Sequence, residues 1–293
     1  MSGDEERLLL PMALRAAAEA AKVIMDIYAA PEADFGVREK PDHTPVTRAD
    51  MASNAVIARA LADAAIPILS EETAHEDYDV RRRHRQMWLV DPLDGTKEFI
   101  RRNDMFSVCI ALIEEHRPIL GVIAVPAAGT VYFTRGGAAW RAALAPDGVT
   151  SGEVRLPVAF GPVPHVVLGS VSHSRDAAES ALEVLRADAG WADAALVGVG
   201  SSIKQCMIAE GAAALYPRRG TTMEWDTAAG QAIIEAAGGR VLRVSDGGPM
   251  DYNRPDLRNP DFVAAAAGVD GEIVRRVLAG LRPFNLVSDH EFN

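Results

Sequence analysis

Cysteine is scarce: only Cys109 and Cys206 occur in 293 residues. Two thiols are too few for a disulfide framework or a thiolate metal site, and both lie in apolar stretches where cysteine packs as a small hydrophobe. Cations are outnumbered, 30 Lys and Arg against 41 Asp and Glu, leaving a formal net charge of -11. That balance argues against nonspecific binding to nucleic acid or to an anionic membrane, both of which need clustered positive charge. No apolar run is long enough to span a bilayer. The acidic start Met1-Ser2-Gly3-Asp4-Glu5-Glu6 lacks the basic segment of a secretory signal. A cytoplasmic protein with no integral membrane segment and no nucleic-acid partner is expected. Internal repeats and low-complexity tracts are missing too, short alanine-rich stretches aside.

What is present is ample core-forming material, 48% apolar residues in a chain longer than one usual domain. Two packed lobes are expected, divided as 1–160 and 161–293. Helical spacing runs over 6–28 and ends near Pro31, and 35–46, with Gly36, Pro41 and Pro45, reads as a strand followed by a loop. Periodicity over 50–65 returns to helical, placing Asp50 at or near a helix start. Apolar runs at 66–69 and 87–90 read as strands with acids just past their C-terminal ends: Glu71 and Glu72 after the first, Asp91 after the second. The polar stretch 73–86 between them, with Arg81-Arg82-Arg83-His84-Arg85, reads as a solvated surface or mobile loop.

β-rich runs at 106–113, 119–125 and 130–134 form an antiparallel meander, and 145–164 reads as a linker. Beyond it, strands at 165–171 and 195–199 alternate with helices at 177–187 and 202–210. A helix at 226–237, strands at 241–244 and 262–266, and a helix at 271–281 follow. The fold class expected is α/β, an α+β layered sandwich.

Several acids thus fall at strand or helix ends, where a sheet's loops bring side chains together. Asp91-Pro92-Leu93-Asp94-Gly95-Thr96 is the strongest group, because Pro92 stiffens the chain and Gly95 allows the bend that turns both carboxylates one way. Carboxylates so spaced repel unless a hard cation lies between them, and oxygen-only ligation suits Mg²⁺. The same hexapeptide also makes an ordinary Asx-turn or helix cap. Gly198-Val199-Gly200-Ser201 ends a strand and opens a helix, with Lys204 one turn in. That is either an anion site or simply a tight turn.

Trp88-Leu89-Val90-Asp91-Pro92-Leu93-Asp94-Gly95-Thr96 resembles the signature of the inositol monophosphatase superfamily, phosphatases of the sugar-phosphatase fold with the metal site between two lobes. Thr44-Pro45-Val46-Thr47-Arg48-Ala49-Asp50, Leu69-Ser70-Glu71-Glu72 and Glu224-Trp225-Asp226-Thr227-Ala228-Ala229-Gly230 resemble its other motifs, in the family's order. The resemblance implies metal ligation by Glu71, Asp91, Asp94, Asp226 and the Leu93 carbonyl, holding roughly two or three Mg²⁺ ions. It implies that Asp50 and Thr96 orient and deprotonate a water for direct attack on phosphorus. Asp226 also reads as a plain N-cap, and Glu71 as a solvated loop acid.

Lys97-Glu98-Phe99-Ile100 after the signature is similar to the bacterial 3′(2′),5′-bisphosphate nucleotidases of the CysQ type, as is Gly200-Ser201-Ser202-Ile203-Lys204-Gln205-Cys206 with Leu215-Tyr216-Pro217-Arg218. That implies hydrolysis of 3′-phosphoadenosine 5′-phosphate, a place in sulfur assimilation, sensitivity to lithium and a possible homodimer. Substrate contacts implied are Gly95, Thr96, Ser201, Lys204 and Arg218, with His173 near the nucleoside. Arg219 competes with Arg218 for the phosphate. An inositol monophosphatase or other small phosphate-ester phosphatase is the nearest alternative, and a noncatalytic metal or nucleotide sensor the alternative of another class.

Overall fold

The computed structural model describes residues 1–41, 43–158, 162–172 and 175–282. Helix α1 (Gly3–Tyr28) starts in a capping box, Ser2 accepting from the Glu5 N–H while the Glu5 carboxylate reaches back to Ser2. A hairpin of two short strands, β1 (Arg38–Glu39) and β2 (Pro45–Val46), follows where one strand and a loop were expected. Then come α2 (Arg48–Leu61), β3 (Ile68–Ser70), α3 (Tyr78–Arg81), β4 (Gln86–Asp94) and α4 (Thr96–Ile100). The meander is β5 (Ser107–Glu114), β6 (Arg117–Val125), β7 (Thr130–Arg135), β8 (Ala138–Leu144) and β9 (Thr150–Arg155). The C-terminal part runs β10 (Val166–Ser170), α5 (Asp176–Arg186), β11 (Ala195–Val199), α6 (Ile203–Glu210), β12 (Leu215–Arg218), α7 (Glu224–Ala236), β13 (Arg240–Arg243), β14 (Phe262–Ala265) and α8 (Gly271–Leu281).

Seven strands form one sheet in the order β3-β4-β5-β6-β7-β8-β9, and five form another in the order β11-β10-β12-β14-β13. Period-two alternation sorts the large sheet's side chains onto two faces. Trp88, Val90, Val108, Ile110 and Leu112 join the core under α1 and α2, while Met87, Leu89, Cys109, Ala111 and Ile113 face the other way. There α6 and α7 separate the two sheets, and α5 and α8 cover the outer face of the smaller one. The layers run helix, sheet, helix, sheet, helix. Because α7, from the C-terminal half, packs across β4, β5 and β6, one hydrophobic cluster spans both halves of the chain. Both cysteines are buried and unpaired. Among the described residues no helix is long and apolar enough to cross a membrane.

Two readings of the sequence need correction, and one strand went unread. Strand β9 falls within the expected linker because its residues are polar and mostly exposed, as suits a sheet edge. Strand β12 sits in the middle of the smaller sheet despite Pro217, which disguised it; it meets β10 with Leu215 opposite Val167, so Pro217 owes that neighbour no hydrogen bond. Arg81 is buried and fully engaged, not part of a solvated run.

Candidate active site

Asp91 and Asp94 are three positions apart, an odd spacing that in a regular strand would put them on opposite faces. Strand β4 avoids this. Asp91 pairs with Cys109 and Asp94 with Ser107, so β4 carries one residue more than β5 between those pairs. This bulge, around Pro92 and Leu93, brings both carboxyls to the same cavity. It also means Asp91 lies inside the strand rather than past its end. The Leu93 N–H donates to Asp91 Oδ1 at 3.0 Å, and the Ser53 hydroxyl anchors the Pro92 carbonyl at 2.7 Å. Gly95 follows at φ +93, in a turn where an added Cβ would meet the Met105 carbonyl at 3.0 Å and Ser201 Cβ at 3.1 Å.

Asp50 and Asp226 arrive by another device, used twice. Each is the third residue of a helix and reaches back to the N–H three residues earlier: Thr47 N to Asp50 Oδ2 is 2.7 Å, and Met223 N to Asp226 Oδ2 is 2.9 Å. Asp226 is therefore not the N-cap itself. One oxygen of each caps the helix and the other is left for chemistry. Asp50 Oδ1 accepts from the Thr96 hydroxyl at 2.9 Å, and that hydroxyl also lies 3.3 Å from the Leu93 carbonyl. Glu71 follows β3, its N–H bonded to the Val90 carbonyl at 3.1 Å, which sets it beside Asp91.

Glu71, Asp91, Leu93, Asp94, Thr96 and Asp226 line one cavity of about 920 Å³. Burial, with the charges of Glu71, Asp94 and Asp226, pushes the Asp91 carboxyl well above the usual carboxylate range. Asp226 is pushed well up by burial, then by Asp94 and Glu71. Asp94, Glu71 and Asp50 are raised chiefly by burial. These oxygen donors suit a hard divalent cation, whose charge would relieve that repulsion. Among the described residues, no three His, Cys, Asp or Glu side chains are placed to hold an ion as they stand. Glu71 Oε1 is instead engaged by the Lys40 ammonium at 2.7 Å, and Asp94 by the Ser202 hydroxyl.

The same cavity also has a basic lining. Lys204, in the first turn of α6, is buried and donates to the Val199 carbonyl at 3.1 Å and the Ser201 carbonyl at 2.7 Å. Burial brings its pKa down to about 8. Arg218 is buried too, with Nε lacking any hydrogen-bond partner and Nη2 only 3.4 Å from the Thr221 carbonyl. Arg219 is tied elsewhere, to the Leu281 carbonyl and Asp261. Ser201 lines the cavity at φ +47. His173 lies outside the described residues.

Sequence reasoning passed over Lys40, Ser202 and Gln205. Ser202 and Gln205 lie three apart on one helix face and both bond the Asp226 carbonyl, at 3.1 and 2.7 Å. Gly230 makes room for this: a Cβ there would sit 1.8 Å from Gln205 Oε1. The Ser-x-x-Gln spacing was the available signal. Lys40, in the β1–β2 hairpin, had none.

Comparison with known proteins matches residues 5–280 to the inositol monophosphatase family. The 3′(2′),5′-bisphosphate nucleotidase CysQ of Shigella flexneri is 39% identical over 257 residues, covering 87% of this chain and 98% of that protein. Among solved structures, CysQ from Bacteroides thetaiotaomicron has a TM-score of 0.77 at 39% identity, covering 87% of this chain and 96% of that one. An IMPase from Thermotoga maritima, 20% identical with a TM-score of 0.71 over 94% of this chain and 98% of its own, shares the fold.

Proposed function

The chain belongs to the inositol monophosphatase family, and from that membership we propose how its cavity works as a 3′(2′),5′-bisphosphate nucleotidase. The protein is a phosphatase that hydrolyses 3′-phosphoadenosine 5′-phosphate to AMP and phosphate. Its nucleotidase relatives support this over most of both chains, whereas the distant IMPase likeness concerns fold alone. The observation that carries the reading is a single cavity lined both by the carboxyls and by two buried cations, Lys204 and Arg218.

Glu71, Asp91, Asp94, Asp226 and the Leu93 carbonyl would hold Mg²⁺, which supplies positive charge beside the scissile phosphate and makes a nearby water more acidic. Thr96 donates its hydroxyl proton to Asp50, so its oxygen is left to accept a hydrogen bond from the attacking water. Asp50, its pKa raised by burial, then takes the proton. Attack on phosphorus is direct, and the 3′-oxygen leaves without a phosphorylated side chain. Gly95 lets the backbone approach the phosphate. Lys204, Arg218 and Ser201 receive the phosphate that is not cleaved, Arg218 rather than Arg219 because Arg219 is already tied to the Leu281 carbonyl and Asp261. The N-terminal half, 1–160, carries most metal ligands, and 161–293 carries Asp226 and the substrate groups.

Phosphate release from 3′-phosphoadenosine 5′-phosphate and from inositol monophosphate, each with Mg²⁺, tests the reading. Preference for the bisphosphate is expected, and faster release from inositol monophosphate would overturn it. Lithium sensitivity follows from the same reading and is checked with LiCl against NaCl at equal ionic strength; equal responses would remove it.

A further inference from the structure

Arg81 is buried at 4% exposure, and every donor group of its guanidinium is spent away from the cavity. Nε donates to the Glu76 carbonyl at 3.1 Å, Nη1 to Asn253 Oδ1 at 2.6 Å and Nη2 to the Arg254 carbonyl at 3.2 Å. Asn253 returns a bond, Nδ2 to the Arg81 carbonyl at 3.0 Å. The backbone N–H groups of Asn253 and Arg254 then donate to Glu224 Oε2 and Oε1, at 2.5 and 3.0 Å, and Arg254 Nε adds a third bond at 3.1 Å. Glu224 is wholly buried and is the first residue of α7, the helix that carries Asp226 in the same turn. At the chain's other end, the segment leading from Glu71 to Arg81 lays the His75 ring 5.2 Å from that of Trp225.

A buried chain of hydrogen bonds therefore joins the segment after Glu71 to the helix start that presents Asp226, though the two carboxylates come from opposite halves of the sequence. None of Arg81, Asn253 and Glu224 lines the cavity. We propose that Arg81, Asn253 and Glu224 are positioning residues, a latch that sets Glu71 against Asp226 so that both serve one cation cluster. The proposal rests on the metal reading above. A latch that merely held the fold would use the same bonds, and what separates the two roles is whether loosening it changes cation affinity.

The test is a Mg²⁺ titration of the full chain without substrate, followed by the shift in thermal unfolding midpoint, alongside the Mg²⁺ concentration that half-saturates phosphate release. Loss of a partner that orients a ligand typically costs about 10- to 100-fold in metal affinity. Asn253→Ala is expected to raise the half-saturating Mg²⁺ concentration by about that factor in both measurements. Arg81→Lys, which keeps the charge but loses the fork of donors, is expected to fall between it and the wild type. An Asn253→Ala protein that melts earlier yet binds Mg²⁺ like the wild type would overturn the latch. Should Asn253→Ala fail to fold, an unchanged Mg²⁺ response in Arg81→Lys overturns it and a weakened one supports it. A wild type with no Mg²⁺ response would sink the metal reading and the latch together, whereas normal wild-type binding that neither variant disturbs would remove the latch alone.

Discussion

Two sets of side chains line one cavity: burial and mutual repulsion push the carboxyls of Asp91 and Asp226 well above their ordinary range, while burial brings the Lys204 ammonium down to about 8 against the pull of Asp94. Burial disfavours the charged forms in both sets, with opposite sign. Added cations would ease the carboxyls, of which Glu71 already meets Lys40, and an anion would ease the buried Lys204 and Arg218. A substrate with two phosphates, one beside the cations and one away from them, answers both. A monophosphate ester answers only the first. On the proposed reading, catalysis falls to the acidic set and selectivity to the basic set.

Breaking the acidic set is expected to have the largest effect. Asp94→Asn keeps the shape and removes a charge, and phosphate release should fall by more than about 100-fold on every substrate, beyond the typical cost of losing a mere orienting partner. Undiminished turnover after exhaustive chelation would contradict that role. In the basic set, Lys204→Ala or Arg218→Ala should lower kcat/KM for 3′-phosphoadenosine 5′-phosphate by about tenfold to a hundredfold, the worth of a charged hydrogen bond.

The smaller effects sharpen the contrast. Gly230→Ala would force Gln205 off the Asp226 carbonyl, destabilising by about 1–3 kcal/mol as overpacked sites do; an unchanged melting temperature would show that the helices slide freely there. Because Asp91 and Asp226 have raised pKa values in the folded state, their stabilising contribution is present below the ordinary carboxylate range and is lost as pH rises through the raised values. Added Mg²⁺ should therefore raise the melting temperature more at pH ~8 than at pH ~5, where protons compete with the metal. Lys204, titrating at about 8, should give kcat/KM for the bisphosphate a descending limb near that pH. The limb should vanish in Lys204→Ala.

Much of this was legible before any coordinates. The alternation of 106–125 and the helical spacing of 6–28 reflect burial on one face or two, which a sequence records directly. Spacing singled out Asp91 and Asp94, because a strand end and its turn are local features, whereas Glu71, Asp226 and Asp50 drew their roles from the family resemblance. What stayed hidden depended on contacts distant in sequence. The bulge that turns Asp91 and Asp94 to one side is a matter of register against β5. Arg81 reads as one cation in a charged run until Asn253 and Arg254 come to meet it. Lys40 meets Glu71 only through the fold of its hairpin. Central strand β12 was masked by Pro217, a residue that local rules assign to edges.

The proposed division of labour between the two sets is tested most directly by one ratio: kcat/KM for 3′-phosphoadenosine 5′-phosphate over kcat/KM for phenyl phosphate, measured in the wild type, Lys204→Ala and Asp94→Asn at saturating Mg²⁺. In Lys204→Ala the ratio should drop by about tenfold or more while phenyl phosphate turnover holds. In Asp94→Asn both rates should collapse and the ratio should hold. A Lys204→Ala enzyme that loses both activities equally would contradict the account, because Lys204 would then be supporting the fold or the carboxylates rather than reading the second phosphate.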